Sequence, residues 1–204
     1  MRASQLGAVA FAFLAVTACN PKTEDKAENV AAAPPLPQPV DSAVPAGGSD
    51  ADLIQSAMSA APLAVAQTAT IVAPETSGAM RVVRQGTGPF TCMADNPATP
   101  GPDPMCGDAN AMAWAEAWIA HKPPPKNQVG FMYMLKGGTD ASNVDPFATG
   151  PSDGNAWIQT GPHVMVVGAD ALMKGYPTSP APDTKQPYVM WAGTPYAHLM
   201  IPVQ

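Results

Sequence analysis

The chain has 204 residues, with 10 Lys+Arg against 16 Asp+Glu and a formal net charge of -6 at pH 7. That balance argues against a nucleic-acid partner, because phosphate recognition needs a basic stripe. Charged residues make up only 13%, about half the usual share, while 25 Pro and 17 Gly demand many loops and 46% hydrophobic residues still allow a core.

The first element is a short apolar run. Arg2 supplies one positive charge, and Leu6 to Val16 then carry none. Such a stretch fits the centre of a signal peptide and is too short to span a bilayer. It ends in Val16-Thr17-Ala18-Cys19. This order, a branched apolar residue, two small residues and a thiol, resembles the lipobox of bacterial lipoproteins. The resemblance implies that residues 1–18 are a lipoprotein signal peptide and that Cys19 becomes the lipid-bearing first residue. Each buried methylene adds ~0.8 kcal/mol to membrane binding, and several acyl chains make the anchor stable. Asn20 stands where Asp would be the inner-membrane retention signal, so the outer membrane, facing the periplasm, is the favoured destination. An ordinary secretory signal containing Cys is the other reading.

Residues 19–49 read as a disordered Ala/Pro-rich linker. Pro21, Pro34, Pro35, Pro37, Pro39 and Pro45 break any helix, and Gly47-Gly48 add slack. At ~3.1 Å per residue, polyproline-like chain spaces a domain several tens of ångströms from its anchor. Within it, "PPLPQP" is the one stretch with an alternative role as a recognition peptide. Residues 50–204 are expected to form a single globular domain.

Ser49 is placed to cap a helix in "SDADLIQSAMSAA", with Asp50 and Asp52 in its first turn and Leu53, Ile54, Ala57 and Met58 on one face. Pro62 interrupts it, and Leu63 to Val72 can hold a further helical turn or a strand. "MRVVRQGTGPFTCM" then reads as strand, Gly-containing turn and strand, a predicted hairpin. "DANAMAWAEAWIAHK" is the strongest helix, with Asp108 as cap and Met112, Ala115, Trp118 and Ile119 as its stripe. Trp114 and Trp118 are an i,i+4 pair, His121-Lys122 suit its negative end, and Pro123-Pro124-Pro125 stop it. Strands are expected at Val129 to Leu135, Ala156 to Thr160, His163 to Val167, Tyr188 to Ala192 and His198 to Val203. Gly193-Thr194-Pro195 should turn the last two into a hairpin. Long loops run from Gly137 to Gly161 and from Gly175 to Pro187. The fold class expected is α+β: a small, mainly antiparallel sheet with two or three helices, rich in loops.

With Cys19 assigned to lipid, Cys92 and Cys106 remain. An exported chain meets an oxidising compartment, so they are expected to form a disulfide. A loop of this length is worth ~3 kcal/mol on the chain-entropy estimate, and less where prolines already stiffen it. The alternative is a reduced pair acting as soft ligands beside Met93 and Met105.

Three patterns carry possible chemistry. His163-Val164-Met165 and His198-Leu199-Met200 are each His-x-Met on a predicted strand. Period-two alternation puts both members of a pair on one face, and imidazole with thioether suits copper. Core packing is the competing explanation, since Met fills gaps readily. The second pattern is hydrolytic. "GPSDG" places Ser152 in a G-x-S-x-G string, but the strand before and helix after that such an elbow requires are missing. A looser acid/base set is Asp140, Asp145 and His163. The third is "DASNVD", Asp140 to Asp145, which departs from the EF-hand order and is well explained as a turn. No GxGxxG or Walker loop occurs.

"AMSAAP", "DPMCGDA", "GGTDASNVDPFATGP", "PHVMV" and "YVMWAGTPYAHLMIPV" resemble stretches of a family of uncharacterised exported bacterial proteins. That resemblance implies one folding unit and assigns no catalytic residue. The functional expectation is a lipid-anchored envelope module that binds rather than catalyses. Its working surface is placed at Asp140, Asn143, Asp145, Trp157, Trp191 and Tyr196, whose aromatic members have core packing as their other reading. A copper-binding lipoprotein using His163, Met165, His198 and Met200 is the first alternative, and an envelope hydrolase the second.

Overall fold

The computed structural model describes residues 48–75, 79–99 and 101–203. The expected signal peptide, Cys19 and nearly all of the expected linker lie outside these described residues.

Helix α1, Asp50–Met58, begins as its sequence dictates. The Ser49 hydroxyl accepts from the Asp52 N–H, and the Asp52 carboxylate reaches back to the Ser49 N–H at 3.0 Å. This reciprocal capping box satisfies two of the orphan donors of the first turn. Ala57 is buried, and Leu53, Ile54 and Met58 pack around it against a core containing Ala60, Ala66, Ile71, Cys92 and Cys106. The ambiguous stretch after Pro62 resolves into both readings in turn: a one-turn helix α2, Leu63–Ala66, and a strand β1, Thr70–Pro74.

Strands β2, Met80–Arg84, and β3, Phe90–Met93, do not form the expected hairpin. β1 lies between them, antiparallel to β2 and parallel to β3. The cause is the connection at 85–89. Thr87 and Gly88 both donate to the Thr68 carbonyl, at 2.9 and 2.8 Å. A Cβ on Gly86 would stand 2.3 Å from the backbone of Ala69 and Thr70. The glycine segment therefore crosses the end of β1 instead of turning back on β2.

β4, Met105–Asp108, pairs antiparallel with β3, and Cys92 faces Cys106 directly across the ladder, where the two form a disulfide. Their sulfurs are bonded to each other, which removes the alternative of a reduced soft-ligand pair. α3, Ala109–Ile119, starts from Asp108, whose Oδ1 accepts from the Ala111 N–H at 2.8 Å. Its Oδ2 accepts from the Phe131 N–H at 3.0 Å. The buried stripe is Ala111, Trp114 and Ala115, with Trp118 half-buried; Ile119, expected inside, is 65% exposed. The helix is rotated toward its tryptophans, which bury more apolar area than Ile119 would.

β5, Gly130–Met134, follows the triple proline. Then come a short pair, β6 Ala141–Ser142 and β7 Trp157–Ile158, and the strands β8 His163–Val167, β9 Tyr188–Met190 and β10 His198–Pro202. The β9–β10 hairpin forms as expected. The main sheet has eight strands in the order β2-β1-β3-β4-β5-β8-β10-β9, and β6 and β7 form a separate pair. The described residues form an α+β fold, mostly sheet, with three short helices. The small sheet expected from the sequence is corrected to a large mixed one. Short strands separated by proline-rich loops hide how many of them join a single ladder. Among the described residues no helix is long and apolar enough to cross a membrane.

Candidate functional site

Period-two alternation sorts the β5, β8, β10 and β9 residues onto two faces. On one face the register aligns Met132, Met165, Met200 and Tyr188 in a row across the four strands. One row along lies the pair Met134 and His163; in the other direction lies Val167, His198 and Met190. α3 covers part of this face. A Cβ on Gly130 would stand 2.3 Å from the Ala111 nitrogen, so the absence of a side chain lets the first turn of α3 rest directly on β5.

Beside the helix the same face lines a cavity of about 420 Å³. Its lining includes Met105, Met132, Met134, Met165, Met190 and Met200, half of the chain's 12 methionines. All four tryptophans line it too. Trp114 stacks on Trp191 at 6.1 Å, and Trp118 lies 5.1 Å from Trp191, so three indoles form one wall. Pairs of this kind add about 0.5–1.5 kcal/mol beyond their buried area.

The wall is held by bonds to the 137–161 loop. Trp118 Nε1 donates to the Pro146 carbonyl at 2.9 Å, and Trp191 Nε1 to the Ser142 carbonyl at 2.8 Å. Trp191 sits at φ 55°, a region L-residues seldom occupy, and its backbone N–H donates to the Asn143 carbonyl at 2.9 Å. The loop itself is fastened by the Ser142 hydroxyl to the Asn155 carbonyl. What reads in sequence as a long polar loop is therefore a roof.

The cavity is electron-rich. Asp103, Asp140, Asp145 and His163 line it, and neither Lys nor Arg does. Burial raises the Asp103 carboxyl above its ordinary range, against the bonds from the Asn96 N–H and the Thr99 hydroxyl, and neighbouring Asp95 raises it further. Burial lowers the His163 imidazole, and its bond to the Gly161 carbonyl opposes that shift. His163 Nδ1 lies 2.7 Å from that carbonyl, which can only accept. The neutral ring therefore carries its proton on Nδ1 and a lone pair on Nε2.

The sequence-derived candidates divide accordingly. His163, Met165, Met200, Asp140, Asp145, Trp157 and Trp191 all line the cavity. His198 shares the face but lies behind the lining. His163 pairs with Pro202 and His198 with Val167, a four-residue offset along the strands, or ~13 Å. His198 is 1% exposed, between Trp114 and Trp191 at ring distances of 5.2 and 4.9 Å, and its Nε2 has no hydrogen-bond partner among the described residues. Asn143 is buried and its amide donates to the Ser179 and Pro180 carbonyls, so it braces the roof. Tyr196 is buried beside Trp114, its hydroxyl donating to the Lys122 carbonyl at 3.0 Å. Asp145 accepts from the Phe147 N–H, and Ser142 Oγ from the Val144 and Asp145 N–H groups, a turn held by its own side chains. Ser152 is exposed in the same loop with neither strand nor helix adjoining it.

Met132, Met134, Met190 and Asp103 also line the cavity and carry no site assignment from the sequence; Met105 is noted there only beside the cysteines, and Trp114 and Trp118 only as a helix pair. Met132-x-Met134 carries the same period-two signal as the two His-x-Met pairs. Among the described residues no three of His, Cys, Asp and Glu gather as a metal-ligand group. Comparison with family models, with curated proteins and with solved structures finds no match for this chain.

Proposed function

We propose that this chain is an exported lipoprotein, anchored through Cys19 at the cell envelope with the outer membrane favoured, whose domain binds a small ligand in the methionine–tryptophan cavity. The cavity carries the ligand-binding part of this reading, and the order Val16-Thr17-Ala18-Cys19 supports the anchor. A core that only needed filling would close around its side chains at crystal-like density. Here about 420 Å³ remains beside six thioethers and four indoles, within the size range of small-molecule sites. Methionine surfaces adapt to their guests, and the absence of Lys and Arg favours a neutral or cationic guest over an anion. The chain acts by binding, and its membrane partner is the bilayer itself through the N-terminal lipid.

N-phenyl-1-naphthylamine, a neutral apolar dye, tests the cavity. The full chain should bind it saturably, with enhanced emission and one dye per chain. Ala148→Trp, which fills the cavity from the half-buried roof, should abolish that binding without unfolding the chain. Absence of saturable binding, or binding that Ala148→Trp leaves intact, would overturn the reading.

A further inference from the structure

The cavity floor brings one imidazole and several thioethers together by strand register. Met134 lies directly opposite His163, Met165 is two residues along the same strand and face, and Met200 lies directly opposite Met165. Directly opposed Cβ atoms stand ~4.5–5.5 Å apart and diagonal neighbours ~7–8 Å. Each methionine then adds three rotatable bonds beyond Cβ. A point built at the Cβ position of Gly138 lies 3.4 Å from both His163 Cε1 and the Met134 methyl, so both side chains reach the same glycine of the roof.

The imidazole is set in the form a metal needs. Its Nδ1–H donates to the Gly161 carbonyl, the outer-shell arrangement that fixes a ligating histidine. That is the ring's one hydrogen bond among the described residues, and Nε2 keeps its lone pair. Thioethers are soft and carry no proton to lose. They select Cu(I) and are poor partners for Ca²⁺ or Mg²⁺. Asp103, Asp140 and Asp145 on the same cavity favour entry of a cation. Cys92 and Cys106 offer no competing thiolate.

We propose that His163 Nε2 and the thioethers of Met134, Met165 and Met200 form a binding site for a soft monovalent cation, Cu(I), which rests on the reading of this cavity as a ligand seat. It replaces the two-histidine set suggested by sequence, because His198 lies outside the lining. Ordinary core packing accounts for a buried methionine, but leaves unexplained why three of them share a strand face and an open volume with a preset imidazole.

The test uses the full chain carrying Cys19→Ser, which removes the one thiol outside the disulfide, and Ag(I) as an air-stable stand-in for Cu(I). Calorimetric titration should give one equivalent bound. The volume-conserving double variant Met165→Leu/Met200→Leu should weaken Ag(I) binding by about tenfold or more, a loss typical even of outer-shell partners. In the unsubstituted cavity, with methionine methyls labelled with ¹³C, Ag(I) should shift the Met134, Met165 and Met200 resonances and leave Met80 in place. This second readout holds even if the double variant fails to fold. Dye binding without Ag(I) binding, equal Ag(I) affinity in the double variant, or shifts that spare these three methyls would overturn the metal site alone. Failure of both dye and Ag(I) would overturn the cavity reading beneath it.

Discussion

At the scale of single residues, burial gives the protein a pH dependence. His198 sits between two indoles, donates through Nδ1 to the Tyr196 carbonyl at 2.9 Å, and is held down to about 4 by burial first and then by His163, with the Tyr196 carbonyl opposing. The unfolded chain binds this proton near pH 6.5 and the folded chain does not until about 4. Between those values the unfolded state holds more protons, so stability is full above pH 6.5 and falls as pH drops toward 4. His163, lowered in the same direction, adds to the fall. For His198 the loss is on the order of 2–4 kcal/mol. Urea unfolding of the metal-free protein at pH 7 and pH 4.5 should show this decline, and His198→Phe should reduce it. An unchanged pH slope in the variant contradicts the assignment. Both His-x-Met pairs were legible in the sequence because alternation is local. The offset that separates His163 from His198 was not, since register depends on which strands meet. Met132 and Met134 were passed over because methionine on a buried strand looks the same whether it packs or coordinates.

At the scale of elements, α3 sets the indole wall, and its seat on β5 depends on Gly130. Gly130→Ala would push a methyl against the backbone of Ala111, where no side chain is available to move aside. Overpacking of this kind costs about 1–3 kcal/mol. The urea midpoint should fall, and dye affinity should fall with it because Trp114 and Trp118 move with the helix; a normal midpoint with normal dye binding contradicts the account. The α1 and α3 caps were readable, because Ser49 and Asp108 carry both the signal and the bond. The β2–β3 hairpin was misread because Gly86-Thr87-Gly88 is a turn signal in either topology. Only its docking on Thr68, a contact distant in sequence, inserts β1 between the strands. The rotation of α3 had the same origin: its periodicity admits two stripes, and the sheet chose the one with Trp114.

At the scale of the whole molecule, a sheet of eight strands supports a roofed cavity, and the N-terminal segment is read as its tether. Cys19→Ser should move the chain from the membrane fraction of a bacterial expression host to the soluble fraction of the envelope, read by fractionation and by mass of the mature N-terminus. A chain that stays with the membrane, or an uncleaved wild-type terminus, contradicts the lipid anchor. The cavity claim has a readout that needs no variant. With ¹³C-labelled methionine methyls, N-phenyl-1-naphthylamine should shift the resonances of Met105, Met132, Met134, Met165, Met190 and Met200 along one saturation curve, leaving those of Met58, Met80 and Met173 in place. Shifts confined to Met80 or Met173, or no saturable shift among the six cavity methyls, would show that this cavity does not receive ligands.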